Sequence, residues 1–200
     1  DGCNLVEEVV RAIRGYHNHI HGDVKLSNVM SFVAASGGAT QYKLIDFDNA
    51  TRVGQPMSKH CTPEYCPPEM AQYILGHTTE PIVAATSFDV WCIAVLILKL
   101  YSEGVSLVEF ADMNHEEILA EIANPGFSFR PSLTAVKLGN MQKKCIDKGL
   151  RMDPARRSTM SEFLKLLPVT VNMHQSPTTS ELAGFMKEVQ DIKCRLINHS

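Results

Sequence analysis

Residues 21–30, HGDVKLSNVM, set Asp23, Lys25 and Asn28 close together, and a second aspartate, Asp46, follows in LIDFDNA. Moving a phosphoryl group asks little covalent chemistry of a protein. It needs a carboxylate to orient the acceptor hydroxyl, a cation near the developing charge, and oxygen ligands for metal ions between the phosphates. Asp23 and Lys25 project from one short loop, so the carboxylate can accept a hydroxyl proton while the ammonium two residues on reaches the phosphate being moved. Asn28 and Asp46 offer oxygens, which suit magnesium. An aspartate or lysine on a loop is more often a solvated surface residue, and the later motifs decide.

These residues need elements to hold them. Leu5, Val6, Val9, Val10 and Ile13 recur at helical spacing in NLVEEVVRAIRGY, which predicts an amphipathic helix over 4–16, directly before the loop. NVMSFVA and YKLIDF are short β-type runs separated by ASGGAT, whose glycines suit a hairpin that would carry residues 28 and 46 to nearby places. Residues 48–68 are polar and proline-rich, too long for an idle turn, and read as a functional loop. From PEMAQYIL onward the pattern is helical. SFDVWCIAVLILKLYSEG is apolar on nearly every side, as a helix at the centre of a helical domain would be, with its end marked by Gly104. Further helices are predicted over 114–123, 133–150 and 158–167, with NPGFSFRPS as a loop between them. After Pro168 a polar stretch leads to a last helix, in which Thr178 and Glu181 have capping-box spacing and Leu182, Phe185, Met186, Val189, Ile192 and Leu196 form a stripe. That stripe lasts only about two heptads, so it is expected to pack back on its own domain and not to form a coiled coil.

The 200 residues, 44% hydrophobic and 20% charged, describe one globular domain with a sizeable core. A formal charge of −3 and the absence of any lysine/arginine run argue against nucleic acid as a partner. Six cysteines, at 3, 61, 66, 92, 145 and 194, form no CxxC pair and follow no secretory leader, which predicts free thiols in a reducing, cytoplasmic compartment. The longest apolar run, VWCIAVLIL, is too short for a membrane span. The chain opens at Asp1 straight into a helical pattern, which reads as a cut end. His17, His19 and His21 alternate, and His60, Cys61 and Cys66 are zinc-ligand types. A fourth ligand at structural spacing is missing, and both groups read better as ordinary residues, with oxidation of Cys61 in an exposed loop a second use.

The whole chain resembles the C-terminal lobe of a eukaryotic-type protein kinase. HGDVKLSN resembles the catalytic loop HRDLKxxN, IDFDNA resembles the magnesium-binding DFG, and CTPEYCPPE resembles the end of an activation segment, with Thr62, Pro67, Pro68 and Glu69 in register. DVW at 89–91 resembles the start of the buried central helix, and DPARRST places Arg157 where that family has the partner of its glutamate, here Glu69. The resemblance implies a mainly α fold, a kinase C-lobe helical bundle with a small β-hairpin beside the catalytic loop, over residues 1–168, followed by a linker and C-terminal helix over 169–200. It implies Asp23 as base, Lys25 as phosphate contact, Asn28 and Asp46 as magnesium ligands, Thr62 beside the catalytic carboxylate, and His21, Phe47, Glu69, Asp89 and Arg157 as scaffold. ATP and Mg2+ are the implied cofactors and a protein the implied substrate. Lysine two residues after the catalytic aspartate goes with serine/threonine acceptors.

Two departures qualify this. Gly22 stands where many kinases have arginine, which implies activity independent of phosphorylation at Thr51 or Ser58, and Asp48 replaces a glycine. The N-terminal lobe, with its glycine-rich loop and strand lysine, has no counterpart here and is expected as a missing partner. A pseudokinase or truncated lobe acting as a binding module is therefore a second reading. HGD and IDFD also resemble aminoglycoside and choline phosphotransferases, a third reading opposed by Lys25, the activation segment and the DVW and DPARR motifs.

Overall fold

The computed structural model describes residues 2–15, 18–33, 40–102 and 106–162. The predicted C-terminal helix, Gly104, His17 and most of the hairpin turn lie outside them. Helix α1 spans Gly2–Gly15 and buries Leu5, Val6, Val9, Val10 and Ile13, while Glu7 and Arg11 pair at 2.5 Å on its exposed side. Its apolar stripe packs on the hairpin formed by β2, Val29–Phe32, and β3, Gln41–Leu44. The two strands are antiparallel, with Val29 opposite Leu44 and Phe32 opposite Gln41. Alternation turns Val29, Tyr42 and Leu44 inward and leaves Met30 and Phe32 exposed.

The YKLIDF run does not continue as strand to Phe47. Asp46 has φ 67°, a left-handed conformation incompatible with an extended ladder, so the chain leaves the sheet after Leu44. A second antiparallel pair went unpredicted: β1, His19–Ile20, lies against β4, Thr51–Arg52. Two-residue strands carry no periodicity to read. The loop after β4 is tied down further on, where Met57 N–H donates to the Ile82 carbonyl at 2.8 Å and Ala84 N–H to the Gln55 carbonyl at 2.8 Å.

Helix α2, Pro68–Ile74, ends in a Schellman turn: Gly76 has φ 77°, and His77 N–H donates to the Gln72 carbonyl at 2.9 Å. Helix α3, Thr86–Tyr101, is the centre of the core, buried continuously from Phe88 to Lys99, as an all-round apolar sequence requires. Among the described residues no helix is long and apolar enough to cross a membrane. Helix α4, His115–Ala123, starts at an Asn114–Glu117 capping box.

The helix predicted over 133–150 is two helices, α5 (Arg130–Ala135) and α6 (Asn140–Gly149). Helix α5 also starts within the predicted loop. Its first turn is tied to the Val108–Phe110 3-10 turn, because Ser132 N–H donates to the Glu109 carboxylate at 2.8 Å. Val136 then turns extended and is buried, and Gly139, a poor helix former, becomes the N-cap of α6. Residues 160–162 are helical behind a Thr159–Glu162 capping box, and the rest of the helix predicted to 167 lies outside the described residues.

Candidate active site

The loop at residues 21–25 is suspended from the core by one carboxylate. Asp89, in the first turn of α3, is fully buried and accepts from His21 N–H at 2.8 Å and Gly22 N–H at 3.0 Å. Burial pushes its carboxyl pKa up, and the two N–H donors oppose that shift. His21 is bound on both ring nitrogens: Asp23 N–H donates to Nδ1 at 3.3 Å, so Nε2 carries the proton and donates to the Ile45 carbonyl at 3.1 Å. Its ring lies 4.7 Å from that of Phe47, which couples the loop to the IDFD segment.

Above this anchor, residues far apart in sequence close a ring. Lys25 Nζ donates to Asp23 Oδ2 at 2.6 Å and to Thr62 Oγ1 at 2.8 Å, and Thr62 Oγ1 donates to Asp23 Oδ1 at 2.8 Å. Asn28 Nδ2 donates to the Asp23 carbonyl at 3.0 Å and lies 3.4 Å from Oδ2. Asn28 and Asp46 are brought side by side by the hairpin, since Ile45 N–H donates to the Asn28 carbonyl at 2.9 Å. Asp46 is exposed, whereas Asp23 is buried. One carboxylate and one amide oxygen are hard donors that fit magnesium, which takes few protein ligands and completes its octahedron with water and phosphate oxygens. Among the described residues no three His, Cys, Asp or Glu side chains converge on one point.

Gly22 has φ 78°, and a Cβ built there would lie 2.8 Å from the Asn49 carbonyl oxygen. Backbone and neighbour together thus favour glycine, although arginine holds this place in many kinases. Gly22→Ala is expected to destabilise the fold by about 1–2 kcal/mol from the left-handed backbone alone, with more from the Asn49 contact. Gly54→Ala is the control: Gly54 has φ 86° but nothing within 4 Å of its would-be Cβ. Urea titration should give the larger loss for Gly22→Ala; equal losses would mean that Asn49 moves aside freely.

The segment that runs from Thr62 into α2 is clamped twice. Arg157 and Glu69 form a two-pronged pair at 2.8 and 2.7 Å, with the arginine side chain fully buried. Lys99, whose side chain is 5% exposed, pairs with Glu64 and lies 5.2 Å from the Tyr65 ring centre. Sequence reading missed this second clamp, for which a lysine inside the apolar run of α3 was the available signal. It also missed the Tyr65 hydroxyl, which accepts from Leu26 N–H at 3.4 Å and so joins the loop at 62–66 to the loop at 21–28. Burial raises the Tyr65 hydroxyl's pKa, so that it stays protonated.

The protein kinase domain profile matches residues 2–167. The chain belongs to the protein kinase domain family. Among curated relatives, this kinase domain is 27% identical over 173 residues to a "probable myosin light chain kinase" of Dictyostelium discoideum, covering 82% of this chain and 40% of that one. It is 29% identical over 167 residues to a "probable serine/threonine-protein kinase" of the same organism, covering 80% of this chain and 20% of that one. A third relative, a "probable serine/threonine-protein kinase" of Zea mays, is 25% identical over 87% of this chain and 27% of its own length. The chain therefore spans less than half the length of these relatives. The fold is shared with the Cydia pomonella granulovirus kinase PK-1, at TM-score 0.58 and 21% identity over 84% of this chain and 57% of that one. It is shared as well with the autoinhibited serine kinase domain of the giant muscle protein titin, at TM-score 0.63 and 22% identity over 88% and 52%.

Proposed function

We propose that this chain is the C-terminal lobe of a serine/threonine protein kinase that moves the terminal phosphoryl group of ATP to a protein hydroxyl. The observation that carries this reading is the closed ring of Asp23, Lys25 and Thr62. In it Asp23 is aimed by two donors, ready to orient an acceptor hydroxyl and take its proton. Lys25 neutralises Asp23 in the resting ring and turns to the transferring phosphate when substrate arrives. Thr62 ties both to the segment that would position the acceptor polypeptide. Asn28 and Asp46 would hold magnesium, which when bound offsets charge between the phosphate oxygens.

The names of the curated relatives support serine/threonine acceptors. The C-lobe reading draws support from the described residues being largely helical, with only two-stranded sheets, and from the chain matching 57% and 52% of the two solved kinase chains. A glycine-rich N-lobe would then cover the nucleotide from the other side. Residues 1–168 form this lobe in our reading, and 169–200 a linker and helix. Free thiols at Cys61, Cys66 and Cys92 suit an intracellular setting.

The test is phosphate transfer from ATP with magnesium by the full-length protein. Serine or threonine phosphorylation of a peptide panel is expected. Phosphatase pretreatment should leave the rate unchanged, because Gly22 offers no arginine for an activation-segment phosphate. No transfer by folded protein would favour the binding-module reading, and transfer to an aminoglycoside or choline the small-molecule phosphotransferase.

A further inference from the structure

The charge of residues 106–151 is divided between two neighbouring stretches. Residues 106–129 hold five acidic side chains, at 109, 112, 116, 117 and 121, and no lysine or arginine. Residues 130–151 hold six of the chain's 19 lysines and arginines and one of its 22 acidic residues, Asp147. The two stretches abut along α5. Ser132 N–H and hydroxyl both donate to the Glu109 carboxylate, the former at 2.8 Å, and two residues on the Thr134 carbonyl accepts from Lys143 Nζ at 2.9 Å.

Both stretches turn their charge to solvent. On α4, Ile118 and Ile122 are buried, while Glu116 and Glu117 are exposed and Glu121 is half-buried. On α6, Cys145 and Ile146 are buried, and Met141, Lys144 and Lys148 share the outer face at helical spacing. Arg130 and Lys137 are exposed as well. Local pairing neutralises only the far end of α6, where Arg151 meets Asp147 at 2.6 Å and Lys148 meets Glu162 at 3.5 Å. Among the described residues no acidic side chain meets Arg130, Lys143 or Lys144, and none of Asp112, Glu116 and Glu121 meets a cation. Exposed apolar side chains accompany the charge. Val108 is 58% and Met113 37% exposed in the acidic stretch, and Met141 is 64% exposed in the basic one.

We propose that this surface binds a second copy of the chain, the acidic stretch of each copy lying against the basic stretch of the other. Opposite charges side by side are self-complementary under two-fold rotation, since half a turn about an axis between the stretches sets acid on base at both ends. Glu116, Glu117 and Glu121 of one copy then face Arg130, Lys143 and Lys144 of the other, twice over. Val108, Met113 and Met141 add apolar contact that charge alone does not supply. Charge complementarity selects this occupant. A nucleic acid or an anionic membrane would satisfy the basic stretch but would be repelled by the acidic one that abuts it.

Sedimentation equilibrium of the full-length protein tests this and needs no kinase activity, so failure of the phosphoryl-transfer reading is recognised separately. A monomer–dimer equilibrium is expected at about 0.1 M salt, where charges act over about 10 Å. The dissociation constant should rise at least about tenfold at about 1 M, where that distance falls to about 3 Å. Arg130→Glu with Lys144→Glu, and Glu116→Lys with Glu121→Lys, should each give monomers. These four changes spare Lys143, which holds the Thr134 carbonyl, and Glu117, which closes the α4 capping box. Mixed in equal amounts, the two double variants should form a one-to-one dimer again, because reversed acid then meets reversed base at both ends. A wild-type monomer at every concentration, or a wild-type dimer indifferent to salt, overturns the proposal without recourse to variants. So does a dimer that persists in both double variants, or a mixture that stays monomeric although circular dichroism shows both to be folded. Growth into larger assemblies overturns the two-fold arrangement, and binding to anionic vesicles or nucleic acid in place of self-association assigns the basic stretch to those instead.

Discussion

Arg157→Ala is expected to destabilise the fold by about 3–5 kcal/mol, the usual cost of breaking a buried ion pair from one side. The guanidinium is fully buried and every nitrogen is engaged: two bonds to Glu69, Nε on the Arg151 carbonyl at 2.8 Å, Nη1 on the Ser87 carbonyl at 3.1 Å and Nη2 on the Met152 carbonyl at 3.3 Å. Its plane also lies 4.9 Å from the Trp91 ring centre. Alanine would remove a donor from three carbonyls and leave a void beside Trp91 and a carboxylate with no counter-charge. The Glu69 side chain is 19% exposed, so water recovers part of its loss and the effect should fall toward the lower end of the range. Arg156→Ala, one residue away on the exposed side, should change stability by about 0.5 kcal/mol or less. Urea titrations at equal slope compare the two. Arg157→Lys should recover only part of the loss, since an ammonium cannot present the two-pronged fork. Equal losses for Arg156→Ala and Arg157→Ala would refute the clamp.

Asp23→Asn in the full-length protein is expected to lower phosphate transfer by about 10²–10⁴-fold, the span that positioned general bases contribute. The substitution keeps size and shape but sets an uncharged amide against two donors. Its oxygen can still accept from Lys25 Nζ while its nitrogen donates to Thr62 Oγ1, so the ring can stay closed with the proposed base removed. Nucleotide affinity should change little, because Asp23 meets Asn28 at the amide nitrogen and not at the oxygen that would face magnesium. Asp46→Asn should also stop transfer, but by weakening magnesium-dependent nucleotide binding. Asparagine tolerates a left-handed backbone such as φ 67° better than most residues, so the variant isolates the lost charge. Titration of a fluorescent nucleotide with and without magnesium separates the two variants. Equal weakening of binding by both would remove the distinction between base and metal ligand.

Much of this protein was legible in one dimension. The stripe of α1 and the all-round apolar run of α3 identify themselves because burial imposes a period on the sequence that shapes them. Motif order from His21 to Arg157 points to the family, and the register of CTPEYCPPE and DPARRST is enough to pair Glu69 with Arg157. Failures occurred where a contact between distant segments overrode a local pattern. Residues 133–150 look like one helix, yet the Glu109–Ser132 tie and the burial of Val136 divide it. The strands at 19–20 and 51–52 exist only as each other's partners. Gly22 read as a missing arginine, and only the Asn49 carbonyl above it shows why a side chain is unwelcome there. Asp23, Lys25 and Thr62 could be nominated from their types, but nothing local says that residues 39 apart meet at 2.8 Å. Periodicity and turn chemistry act over a few neighbours, whereas that ring closes only when Asp89 holds one loop and the Glu69–Arg157 clamp holds the other against the same buried helix.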